Sequence, residues 1–126
     1  MRFKAFWRSN GNMHMADRME KAQALLDVAL STYAQEILPG LPGDQRYTGA
    51  MIANALGIAQ RRLTNPDPAQ SLLDRLDCDT QEALAKAIRE GAVSDATHDG
   101  LAATLLDYVE QELEITSPRF LKRRQE

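Results

Sequence analysis

Along the chain, apolar side chains recur at intervals of three and four and never alternate, which predicts helices and no strand. The first predicted helix spans 17–38, with Ala22, Leu25, Leu26, Ala29, Tyr33 and Ile37 on one stripe and Glu20, Gln23, Asp27 and Gln35 opposite. Pro39 and Gly40 end it, because a proline disfavours helix in the residue before it. The turn "LPGLPG" is too short for a linker and returns the next helix alongside the first.

The second predicted helix spans 44–64. Its centre, "TGAMIANALGIAQRRL", is apolar nearly all round, the pattern of a central, buried helix. Gly49, Ala53 and Gly57 fall four apart on one face. Each interior glycine costs about 0.5–1 kcal/mol relative to alanine, a cost that close approach of another helix would offset. The glycines therefore read as a crossing point in the core, with room for a ligand or a partner chain beside Gly57 as the competing reading. Asn54, among alanines, reads as a buried amide. Left without partners it would cost about 1–3 kcal/mol, so it is expected to bond a loop carbonyl or another side chain, or to form the floor of a pocket. Arg61 and Arg62 close the helix, where cations suit its dipole; as a pair they could also grip a phosphate or carboxylate.

Three shorter patterns follow. Pro68 opens a helix over 68–76 with Asp67 as its cap. Thr80 caps another over 80–90, which Gly91 stops. A longer one spans 98–115, with Ala102, Leu105, Val109 and Leu113 as its stripe. Ser117 followed by Pro118 predicts a final capped helical turn. The fold class that follows is all-α: a compact single-domain bundle of three long and two to three short helices. The basic, aromatic start "MRFKAFWRSNGNMHM" is expected to be a flexible or extended arm over 1–15, ahead of a helical domain over 16–126.

Composition narrows the function classes. A chain of 126 residues is one domain's worth and needs neither metal nor disulfide to fold. The single cysteine, Cys78, fits a reducing, cytoplasmic setting, and the acidic neighbours in "RLDCDT" disfavour a thiolate. A net charge of −3 makes nucleic acid an unsuitable partner. No apolar run is long enough for a membrane span, and the start lacks the apolar stretch of a secretory signal. Charge is uneven: 67–114 carries twelve acids against three bases, a balance of −9, and 115–126 four bases against one acid, a balance of +3. The basic tail could dock on its own acidic body or on a neighbour's.

Chemistry is harder to find. His14 and His98 are far apart, with no metal-ligand spacing, so no metal and no cofactor is expected. There is no G-x-G-x-x-G, no phosphate-binding loop, and no nucleophile with a base and an orienting group. Asp107, Glu110 and Glu114 share one flank and read as a solvated face.

The stretches "LPGLPGDQRYTGAMIANALGIAQRRL" and "EITSPRFLKR" resemble a small bacterial family of unknown function. Its members carry an "LPG" turn, an "A-N-A-L-x-I" helix with a following "R-E-L", and a closing "L-x-x-x-N-P-R-Y-L". Pro42, Gly43, Ala53, Asn54, Ala55, Leu56, Ile58, Arg61 and Leu63 match the first part, and Pro118, Arg119 and Leu121 the second. Arg62 stands where an acid is usual, and Ser117 and Phe120 replace Asn and Tyr. The resemblance covers most of 16–122. It implies company with aminoglycoside-phosphotransferase-like kinases and acyl-CoA dehydrogenases, as neighbours or fused segments. The function expected from it is a non-catalytic accessory protein, partnering such an enzyme or forming a homo-oligomer. The alternative is a module that holds an acyl or CoA-like ligand near Asn54 and Arg61. The resemblance also places Asn54, Arg61, Pro118 and Arg119 in one motif. If the "SPRF" turn folds back on the second helix, Arg119 would meet Asn54 or the acidic body.

Overall fold

The computed structural model describes residues 2–126, with side chains from His14 onward. The arm expected over 1–15 lies almost wholly outside the described side chains. The described residues are all-α, with no strand among them: α1 is Arg2–Thr32, α2 Arg46–Thr64, α3 Pro68–Arg75, α4 Gln81–Arg89, α5 Leu101–Thr116 and α6 Pro118–Gln125. Chain contacts gather them into two compact units, one ending at Thr64 and the other starting at Asn65.

The first unit is a helical hairpin. Hydrogen bonds across it pair Gln23 Nε2 with the Leu63 carbonyl, Gln60 Nε2 with Asp27 Oδ1, and Tyr33 Oη with the Gly49 carbonyl at 3.0 Å. Partners fall along α1 as they rise along α2, so the two helices run antiparallel. α1 does not continue to Leu38 as its periodicity predicts. It ends at Thr32 and passes into a π turn, Tyr33–Ile37, and then a 3-10 turn, Leu38–Gly40. A second 3-10 turn, Gly43–Gln45, delivers the chain to α2. The wider turn carries Tyr33, Leu38 and Leu41 onto the glycine face of α2. A Cβ at Gly49 would lie 2.8 Å from Leu38 Cδ1 and 3.0 Å from Tyr33 Oη, and would also strike Leu41 Cδ1. Gly49 therefore does mark a close approach, but of turn side chains and not of a crossing helix. At Gly57, also buried, a Cβ would meet only the Arg61 guanidinium of its own helix, 3.2 Å away.

α2 is not the all-round buried helix expected. Gly49 and Gly57 are its buried residues, while Tyr47, Met51 and Ile52 are exposed. An apolar pattern reports what a helix could bury, not what covers it, and α1 covers one face.

The second unit has its own core. Leu72, Leu73 and Leu76 from α3 and its end, Leu84 from α4, Val93 from the following loop and Leu101 from α5 form one buried cluster. Cys78, Ala87, Leu105 and Tyr108 pack against it. Caps position these short helices as predicted. Asp67 accepts from the Ala69 amide at 3.1 Å, and Thr80 Oγ1 from the Ala83 amide at 3.1 Å. Gly91 turns the chain after α4 in the left-handed region, at φ 79°. α5 begins at Leu101 and not at His98, because Gly100 stands before it at φ 70°, outside the helical region. Asp77, between α3 and α4, has φ 54°; it is the one non-glycine residue with positive φ among those described. α6 is longer than the single turn expected. Ser117 stands at its cap position without a side-chain hydrogen bond, its amide donating instead to the Leu113 carbonyl at 2.8 Å.

Candidate interaction surface

Of the motif residues of α2, Asn54 and Ala55 are exposed, while Ala53, Leu56, Ile58, Arg61 and Leu63 are half-buried. Tyr47, Met51, Asn54, Ile58 and Arg62 follow at steps of four and three, which aligns them in one seam along the helix. Tyr47 keeps 76% of its surface exposed and Met51 57%; Asn54 and Arg62 are exposed and Ile58 half-buried. Asn54 is thus not the buried amide its alanine neighbours suggested. Its side chain needs no internal partner, because water can supply one. Ile52 and Ala55, both exposed, widen the apolar strip.

Arg61 is half-buried and lies back over Gly57. The glycine therefore makes room for the stem and head of this arginine. The two arginines close the seam with positive charge at the helix C-terminus, where the dipole favours it.

Pro118, Arg119 and Phe120 belong to the second unit, at the start of α6. Pro118 is half-buried at the first helical position. Arg119 is exposed, and its carbonyl accepts from Arg123 Nε at 3.5 Å. Phe120 is exposed. Arg119, Lys122 and Arg123 share one face of α6 by spacing, and Leu121 is half-buried on the other. Sequence reasoning singled out Asn54, Arg61 and Arg62 on α2 and misjudged the surroundings of Asn54. It overlooked Tyr47 and Met51, whose signal was the same 3–4 spacing that ties them to Asn54.

Other groups are accounted for by structure. Cys78 is half-buried against the core, with Sγ 3.5 Å from the Leu76 carbonyl. Arg75 pairs with Asp107 at 2.9 Å, and Gln111 donates to the same carboxylate at 3.0 Å. His98 Nδ1 lies 3.0 Å from Thr97 Oγ1. An open cleft of about 210 Å3 lies beside α3 and α5, lined by Asn65, Pro66, Pro68, Gln111, Glu114 and Ile115. Its one charged side chain is an acid, which repels an anionic ligand. No group of three or more His, Cys, Asp or Glu is placed to hold a metal among the described residues. Nor is any helix among them long and apolar enough to cross a membrane.

Fold and surface together define a small helical protein with an uncovered, motif-bearing helix face. The model of the family described as Domain of unknown function (DUF6285) matches residues 39–120, and the chain belongs to that family. The match opens at the turn after α1 and takes in the whole α2 seam and the "SPRF" start of α6. No curated protein and no solved structure matches the chain.

Proposed function

We propose that this protein is a non-catalytic accessory subunit that docks on an enzyme through the exposed seam of α2, its partner being a kinase-like or acyl-CoA-metabolising enzyme. The observation that carries this reading is the exposure of Tyr47, Met51 and Asn54 in register on the family's motif helix. Aromatic and methionine side chains are the types that anchor protein interfaces, and arginine at the edge adds directional hydrogen bonding. A partner face with an apolar groove and carboxylates near its end would complement the run from Tyr47 to Arg62. The partner class rests on the resemblance of the motif and not on the seam.

The ligand-binding alternative has less support. Asn54 is on an outer face and not in a pocket, and the cleft beside Ile115 presents Glu114 to any phosphate or carboxylate.

The test is affinity purification of the tagged full chain from its native cell, beside a Met51→Glu variant. An enzyme of either class is expected at near-stoichiometric yield with the natural chain. Met51→Glu is expected to lose it, because a charge at the centre of an apolar interface costs several kcal/mol. A clean eluate of this protein alone would overturn the reading, as would equal capture by the variant.

A further inference from the structure

α1 carries a second uncovered seam, on a face distinct from the one against α2. Gln23, Leu26 and Leu30 of α1, with Tyr33 and Ala34 of the π turn, are the half-buried positions along this arm of the hairpin. Arg18, Ala22, Leu25, Ala29 and Thr32, at steps of four, three, four and three, are all exposed, as is Glu36 in the π turn that follows. This is the spacing of a helix–helix seam. Leu25 keeps 72% of its surface and Val28, beside it, 65%. Large apolar residues exposed to this degree mid-helix mark a surface that something covers.

The order of residues says what covers it. The seam is self-complementary when read backwards. An antiparallel copy centred on residue 27 sets Leu25 opposite Ala29, Ala22 opposite Thr32, and Arg18 opposite Glu36, each pair occurring twice about the two-fold axis. Large meets small at the centre, so the helices can approach closely. Opposite charges meet at both ends. A parallel copy would instead place Arg18 against Arg18 and Glu36 against Glu36. We infer that the protein forms a two-fold homodimer through antiparallel α1 helices, with the Arg18–Glu36 pairs setting the register.

From Arg18 to Thr32 the seam spans about 21 Å, fourteen steps of 1.5 Å each, and joins two hairpins into a four-helix layer. The end pairs are solvent-exposed, so they select orientation and register while Leu25 and Val28 supply most of the affinity. The α2 seam is left free, so this dimer is independent of the docking proposed above, and each can fail alone.

The experiment is sedimentation of the purified full chain over a concentration series, with circular dichroism confirming that each variant keeps its helix content. The natural chain, 14.0 kDa, is expected to sediment at twice that mass. Arg18→Glu and Glu36→Arg are each expected to raise the dimer dissociation constant about tenfold, the two together to return it to within about threefold, and Leu25→Glu to give monomer. Met51→Glu is expected to leave the dimer intact. A monomer at all concentrations would overturn the inference, as would a dimer that ignores the charge reversals or that Met51→Glu dissolves.

Discussion

Two glycines eight residues apart on the same helix do different work. Gly49 is closed in by Leu38, Leu41 and the Tyr33 hydroxyl, all held by the turns that end α1. Gly57 faces only the end of the Arg61 side chain, which can swing aside. Gly49→Ala is therefore expected to destabilise by about 1–3 kcal/mol through overpacking. Gly57→Ala is expected to be neutral or to stabilise by up to about 1 kcal/mol, the helix-propensity gain. Urea melts of the two variants beside the natural chain check the opposite signs. The sequence showed both glycines on one face; it could not show which one α1's turn residues would reach. Asn54 was hidden in the same way. Its neighbours are those of a core position, and interfaces and cores draw on the same residue types.

At the scale of elements, local chemistry was legible wherever a side chain acts on its own backbone. Asp67, Pro68, Thr80 and Gly91 each mark the boundary they were read to mark, because a cap needs only the residues next to it. Thr80→Ala is expected to cost about 1 kcal/mol, measured as a lower midpoint in denaturant, because the Ala83 amide loses its acceptor. The end of α1 was not legible. Its apolar stripe runs on to Ile37, yet the chain widens into a π turn after Thr32, and Ile37 is exposed. The wider turn shifts each later residue around the axis, so Ile37 leaves the face its spacing assigns it, and only the packing partner reveals the widening. α5 was read to start three residues early because the left-handed turn at Gly100 looks like a helix start from its "THDG" neighbours.

For the molecule as a whole, all-α character was plain, and the distribution of its apolar surface was not. The buried cluster lies in the second unit, and of the twelve exposed large hydrophobics among the described residues eight belong to the first: Met15, Met19, Leu25, Val28, Ile37, Tyr47, Met51 and Ile52. That asymmetry is why association is proposed for the hairpin, while the α3–α5 cluster supplies the buried core. Leu84→Ala, in the cluster, is expected to cost about 2–5 kcal/mol in a urea melt, whereas Met51→Glu is expected to cost less than about 0.5 kcal/mol of folding stability, as surface changes usually do. Charge adds less than its count suggests. The acidic stretch is partly paired, as at Arg75 and Asp107, and the pair is about half exposed, which limits its worth to about 1 kcal/mol.

Asp77 has one more consequence. Aspartate adopts a left-handed backbone more readily than most side chains, so the strain at this position is smaller than a branched residue would incur there. Aspartate and glycine codons differ by a single base. Asp77→Gly is thus one point mutation away, and it exchanges that small strain for the extra chain entropy glycine loses on folding.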